Sequence, residues 1–199
     1  MFTGIIQAIG KIKIEEKSEQ GAVFKFISVG FDFSDSIVGD SIAVNGVCLT
    51  AIEIGDDYFK ADISQETLNC STFGNIRNYE EVNLEKSLRI NQGIDGHMVS
   101  GHVDGVAKVV EKVKQGDSIR YKFKVPQSLV KYIARKGSVC LNGVSLTVND
   151  IDRDVFDINV VPHTMNVTTL SQLNVSDSVN VEVDIIARHL EQLLSSRDL

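Results

Sequence analysis

The sequence predicts a mainly β protein built from two copies of one small barrel or sandwich, followed by a single helix. Three observations carry that expectation. The 199-residue chain aligns with itself without a gap when slid by 97 positions. Segments within each copy alternate apolar and polar residues at period two, and the last segment switches to helical spacing with no counterpart in the first copy.

The self-alignment runs the length of each copy. Met1, Gly4 and Lys11 fall on Met98, Gly101 and Lys108, and "VNGVCLT" at 44–50 returns as "LNGVSLT" at 141–147. Thr67 meets Thr164, Asn69 meets Asn166, and Val82, Asn83 and Glu85 meet Val179, Asn180 and Glu182. A unit of this length exceeds the roughly 20 to 50 residues of stacked repeat arrays, so the copies are duplicated domains. Their expected extents are 1–97 and 98–185, with the Gly/Asn-rich "NQGIDG" at 91–96 as the linker.

Within each copy, "AVFKFISV" (22–29) and "SIRYKFKV" (118–125) read as strands with one buried face, and "YFKADI" and "VFDINV" follow suit. Short strands separated by frequent turn signals point to closure, which removes exposed edges. One short helix is expected near the middle of each copy. It is clearest in "SLVKYIARKG", where Ser128 can cap, Leu129 and Ile133 share a face and Gly137 follows the end. The final segment, 186–199, places Ile186, Leu190, Leu193 and Leu194 on one stripe of an amphipathic helix. That stripe either packs on its own domain or meets the same helix of other subunits.

Composition narrows the function classes. With 43% hydrophobic and 24% charged residues the chain is that of a globular protein, and a net charge of −7 without a Lys/Arg run argues against a nucleic-acid partner. The start lacks the pattern of a secretion signal and no stretch approaches the roughly 20 apolar residues of a membrane span, so a cytoplasmic location without a membrane partner is expected. Cysteines 48, 70 and 140 form no C-x-x-C pair, as reduced thiols in a cytosol would. His97 and His102 have no second ligand pair at finger-like spacing, so no metal is expected.

The duplicated Asn-Gly loop reads as a turn or as the floor of two matching pockets. Cys48 facing Ser145 favours pockets that hold two like molecules and treat them differently. Cys48 alone reads as a small buried hydrophobe or as a nucleophile, activated if His97 or His102 approaches it in space. "GHMVSGHVDG" at 96–105 gathers two His, a Ser and an Asp among glycines, and its His102 stands where the first copy has Ile5. "SQETLNCST" (64–72) and "VPHTMNVTT" (161–169) supply a second wall suited to a neutral, polyhydroxylated or heterocyclic ligand. Alternatively Ser64 and Thr164 only start helical turns there.

"MFTGII", "NGVCLT", "GHMVSGHV", "NGVSLTV" and "PHTMNVTTL", in that order from Met1 to the final helix, resemble the riboflavin synthase family. The resemblance implies two six-stranded Greek-key β-barrels plus a C-terminal α-helix that holds a cytoplasmic homotrimer together. It implies a dismutation in which two molecules of 6,7-dimethyl-8-ribityllumazine exchange a four-carbon unit, giving riboflavin and 5-amino-6-ribitylaminouracil without a cofactor. One substrate would sit in each barrel, with the working site between barrels of neighbouring subunits; association with lumazine synthase is left open.

Carried over by motif, the first pocket is expected to use Gly4, Ile5 and Ile6, then Cys48, Leu49 and Thr50, then Asp62, Ile63, Ser64, Gln65, Glu66 and Thr67. The second would use Gly101, His102 and Val103, then Lys136, then Ser145, Leu146 and Thr147, then Asn159, Val160, Val161, Pro162, His163 and Thr164. The resemblance also implies a carbanion at the acidic 7-methyl group of one lumazine. His102 and Ser145 are expected to assist its proton transfers, and Cys48 to act as nucleophile or polar neighbour. The lumazine proteins of luminous bacteria share the fold without the catalysis, but Cys48, "GHMVSGH" and Ser145 are present here and favour the enzyme.

Overall fold

Period-two alternation becomes strands whose inward residues are aromatic. In β2 (Gly21–Ile27) Ala22, Phe24 and Phe26 are buried, and in β5 (Tyr58–Ser64) Phe59, Ala61 and Ile63 face the same interior. Phe26 stacks on Phe59 at 4.9 Å between ring centroids, and the equivalent pair in the second copy, Phe123 and Phe156, stacks at 5.7 Å. The structure is a computed structural model describing residues 1–195.

With β1 (Ala8–Ser18), β3 (Ser41–Val44), β4 (Val47–Ile54) and β6 (Glu81–Lys86), these strands close into an antiparallel barrel in the order β1-β2-β5-β4-β3-β6. Between β5 and β6 lie a short helix α1 (Gln65–Cys70) and a 3-10 turn (Thr72–Asn75). The second copy repeats the course with β7 (Gly105–Gln115), β8 (Ser118–Lys124), β9 (Ser138–Leu141), β10 (Val144–Thr147), β11 (Asp150–Asp152), β12 (Val155–Val160), α2 (Pro162–Val167) and β13 (Ser178–Val183).

Here the expected six strands become seven, because the counterpart of β4 is split into β10 and β11 at Val148 and Asn149. The sheet runs β10-β9-β13-β7-β8-β12-β11 and curls into a barrel that is not closed by a strand pair between β10 and β11; Asn149 N–H reaches the Asp157 carbonyl at 2.8 Å where the first barrel continues its ladder past a bulge between Ala51 and Glu53. Each barrel has its own apolar core, as two domains of this size require.

The helix expected near the middle of each copy is a correction. Residues Gln127–Tyr132 form a 3-10 turn behind Pro126, with no side-chain cap, and Ile133 is already extended. Leu129 N–H to Pro126 O and Ile133 N–H to Val130 O are three-residue bonds, which suit six residues held between a proline and an extended anchor. Leu129 and Ile133 are buried as their spacing suggested, whereas the equivalent first-copy segment, 30–40, contains no helix.

The last element, α3 (Ile185–Ser195), is held to the second barrel by its polar face. Arg188 Nη2 donates to both Asp104 oxygens at 2.8 Å, and Glu191 pairs with Lys131 and accepts from the Tyr132 hydroxyl. Its apolar stripe is uncovered: Ile186, Leu190, Leu193 and Leu194 are 66, 55, 68 and 54% exposed. Packing of the stripe on its own domain is therefore not what the chain does. Residues 196–199 of the expected helix lie outside the described residues. Among the described residues no helix is long and apolar enough to cross a membrane.

Candidate active site

The duplicated loop has two halves with different jobs. Asn45 and Gly46, at φ of 45° and 77°, make the two-residue turn between β3 and β4, and Asn142 and Gly143 repeat it between β9 and β10. Both turn positions require positive φ, which Asn and Gly tolerate. The turns meet back to back: a Cβ on Gly46 would lie 2.8 Å from Gly143 N.

Around this contact four asparagines exchange bonds in a two-fold pattern. Asn83 donates through Nδ2 to the Asn142 carbonyl at 2.8 Å, and Asn180 donates to the Asn45 carbonyl at 2.9 Å. Their side-chain oxygens accept from Thr169 N–H and Thr72 N–H of the opposite copy. The Asn-Gly half is thus the joint between the barrels, and the pocket half begins one step along the strand, at Cys48 and Ser145.

Two straps cross that joint. Residues 1–4 lead into the first barrel and 98–101 into the second, and they bridge each other through Phe2 and Val99, with N–H to O distances of 2.7 and 3.0 Å. Each strap then lies against the other copy's loop. Cys48 N–H donates to Gly101 O at 2.8 Å, and Ser145 N–H to Gly4 O at 2.8 Å. The glycines permit this approach: a Cβ on Gly101 would sit 2.5 Å from Cys48 Cβ, and one on Gly4 would sit 2.6 Å from Ser145 Cβ.

This exchange regroups the expected site residues. Gly101, His102 and Val103 join Val47, Cys48, Glu66, Thr67, Cys70 and Ser71 around one cavity of about 210 Å³. Gly4 lies with Ser145, and Ile6 packs against the second core. The expectation that residues 4–6 serve the first copy and 101–103 the second is corrected, because each strap crosses to the other barrel before turning into its strand.

The remaining expected residues divide between surface and core. Thr50, Asp62, Ser64 and Gln65 are exposed on β4, β5 and the start of α1, while Leu49 and Ile63 point into the core. Ser64 caps α1, its Oγ accepting from Thr67 N–H at 3.1 Å. Around the second barrel Thr147, Asn159, Val161, Pro162 and His163 are exposed, Leu146 packs beside the core and Val160 is buried within it. Lys136, exposed at φ 66°, lies where β9 begins. Thr164 does not cap α2: Val161 holds that position, Pro162 follows it, and the Thr164 carbonyl instead accepts from the Thr168 hydroxyl.

The chemistry of the two loops differs. Ser145 Oγ lies 2.7 Å from His97 Nδ1, and burial pushes the His97 pKa below its ordinary 6.5, favouring the neutral ring. His97 is therefore the partner of Ser145 and not of Cys48. Cys48 shares its cavity with His102, Glu66 and Cys70, whose thiol donates to Glu66 Oε1 at 2.9 Å and is raised in pKa by that bond. Among the described residues no group of three or more His, Cys, Asp or Glu is placed to hold a metal ion.

Sequence reasoning passed over Glu85 and Glu182. Both are buried one residue before the ends of strands β6 and β13, and desolvation raises their pKa values against the bonds they accept from strap backbone. A carboxylate repeated at the same place in two apolar strands was the available signal.

The Lumazine binding domain family matches residues 3–87 and again 100–184. Riboflavin synthases from Photobacterium leiognathi and Bacillus subtilis are 42% and 35% identical over 98% of this chain, covering 89% and 90% of those proteins. Among solved structures, LumP complexed with riboflavin superposes with a TM-score of 0.83 at 28% identity, covering 92% of this chain and 99% of that one. LumP complexed with 6,7-dimethyl-8-(1'-D-ribityl) lumazine gives a TM-score of 0.81 at 29% identity, with the same coverage.

Proposed function

The chain belongs to the riboflavin synthase family, and from that membership we propose that it converts two molecules of 6,7-dimethyl-8-ribityllumazine into riboflavin and 5-amino-6-ribitylaminouracil. The observation that carries this reading is a pair of like loops in like barrels, bearing Cys48 in one and Ser145 in the other. Two identical guests fit two copied cradles, and a reaction in which one guest gives what the other receives needs the cradles to differ.

The first cradle, with Cys48, Thr50, Asp62, Ser64, Glu66, Thr67 and His102, takes one lumazine. The second, with Ile6, Lys136, Ser145, Thr147, Asn159, His163 and Thr164, takes the other. Hydroxyls, amides and strand-end backbone suit a neutral heterocycle with a polyol chain. The 7-methyl group of one lumazine loses a proton, its anion delocalises through the ring, and that carbanion attacks the second molecule.

Proton movement is the protein's chemical share. With His97 neutral and its proton on Nε2, Nδ1 accepts from Ser145 Oγ–H, so the pair can take up and return a proton. His102 lines the cavity that holds Cys48, which supports the same kind of role on that side. Holding the two rings face to face contributes more, about 7 to 11 kcal/mol for a well-oriented bimolecular step.

The assembly that brings the cradles together is a cytoplasmic homotrimer in which the first barrel of one subunit faces the second barrel of the next. The uncovered stripe on α3 supports it, since four large apolar side chains on one face need a cover.

The test is direct: the purified protein is incubated with 6,7-dimethyl-8-ribityllumazine, without metal or cofactor, and riboflavin absorbance is followed. Riboflavin formation is expected. Binding without conversion contradicts the reading and favours a ligand-carrying role instead.

A further inference from the structure

We propose that Glu85 and Glu182 are positioning residues that act crosswise, each carried by one barrel and fixing the reactive loop of the other. The inference deepens the dismutase reading and rests on it for its kinetic consequence, while its geometry stands by itself.

Glu182, on β13 of the second barrel, accepts from Ser100 N–H at 2.6 Å, Gly101 N–H at 2.9 Å and His102 N–H at 3.0 Å. That fixes the strap whose Gly101 carbonyl receives Cys48 N–H and whose next residue, His102, lines the Cys48 cavity. Glu85, on β6 of the first barrel, accepts from Thr3 N–H at 2.7 Å, the Thr3 hydroxyl at 2.9 Å and Gly4 N–H at 3.1 Å. The Gly4 carbonyl in turn receives Ser145 N–H, and the Thr3 carbonyl receives His97 N–H at 3.1 Å. Both partners of the Ser145–His97 pair therefore hang on the strap that Glu85 holds.

Strand register alone suggests the opposite assignment. Glu85 sits across from Ala43, which sits across from Cys48, and Glu182, Cys140 and Ser145 make the matching row. In both rows an intervening residue separates the carboxylate from the reactive position, whereas the strap route runs through unbroken hydrogen bonds. A carboxylate accepting several backbone N–H groups is a strong and directional anchor. It also has a reason to be buried in an apolar strand, where an unpaired carboxylate is costly.

The test uses Glu182→Gln and Glu85→Gln in the full chain, with two markers read without substrate. One is the rate of Cys48 alkylation by iodoacetamide, resolved from Cys70 by peptide mass spectrometry; the other is the titration midpoint of His97 by NMR. Glu182→Gln is expected to change Cys48 alkylation by about fivefold and leave His97 alone. Glu85→Gln is expected to shift the His97 midpoint by about half a pH unit and leave Cys48 alone.

Effects confined to each residue's own barrel, equal effects on both markers, or no effect on either overturn the proposal. Should the glutamine variants fail to fold, Thr3→Val removes one donor to Glu85 while nearly keeping the side-chain shape, and must move His97 without moving Cys48. With substrate, both glutamine variants are expected to lose about tenfold in kcat with KM changed much less, as misplaced groups do. A wild-type chain that makes no riboflavin would sink the functional reading and leave the marker pattern to be judged alone.

Discussion

The joint between the barrels and the pockets beside it were copied together, yet they kept the copy to different degrees. Among the asparagines and glycines of the joint the match is complete: Asn45 with Asn142, Gly46 with Gly143 and Asn83 with Asn180 occupy equivalent positions, and the asparagines make the same bonds in both directions. In the pockets it is not. Cys48 faces Ser145, Ile5 faces His102, Glu66 faces His163 and Cys70 faces Val167. Symmetry is kept where two barrels must grip each other and lost where two identical ligands must meet different fates.

The sharpest way to break this comparison is substitution at the unequal positions. Cys48→Ser, which makes the loops alike, is expected to lower kcat by about a hundredfold while lumazine binding to both barrels persists. An unchanged rate in a steady-state assay would reduce Cys48 to packing. At the equal positions the expectation reverses: Asn83→Ala and Asn180→Ala should cost the same within error, about 2 to 3 kcal/mol each in urea unfolding, because each leaves one main-chain carbonyl and one main-chain N–H without the amide that served them. Unequal costs would show that the joint is not two-fold in energy.

His97 bonds Ser145 and does not line the Cys48 cavity, so acid should separate the two pockets. Its pKa is lowered in the folded state, so the unfolded chain binds the proton more readily. The stability this contributes is full above the unfolded value near 6.5 and is lost as pH falls through the lowered folded value. A kcat profile should fall along the same acidic limb, and His97→Gln should remove that limb. The smallest expected effect on the fold itself is at α3. Leu190→Glu changes an already exposed position, so unfolding should shift by no more than about 0.5 kcal/mol. Sedimentation should nonetheless show loss of assembly.

Much of this was legible in the sequence, and the failures have physical causes. The 97-residue offset predicts equivalent strands, and Phe26, Phe59, Phe123 and Phe156 obey it in their packing. The stripe of Ile186, Leu190, Leu193 and Leu194 on α3 follows from spacing alone. The helix beginning at Ser128 did not form, because apolar spacing cannot tell an α-helix from a 3-10 turn behind a proline.

The grouping of pocket residues was the larger miss. Self-alignment assigns residues 4–6 to the first copy by register, but the straps swap sides before their strands begin, and nothing in a one-dimensional repeat records a crossing. The His97–Ser145 pair was hidden for the same reason, since it joins a residue ahead of the second strap to a loop that the chain reaches only much later.

The central claim is that two cradles, each finished by the other copy's strap, hold two molecules of one ligand. It is tested most directly by calorimetric titration with the 7-oxo analogue of the lumazine, which lacks the acidic methyl group and cannot react. Two molecules bound per chain, with unequal affinities, is the predicted result. Saturation at one molecule per chain would contradict it.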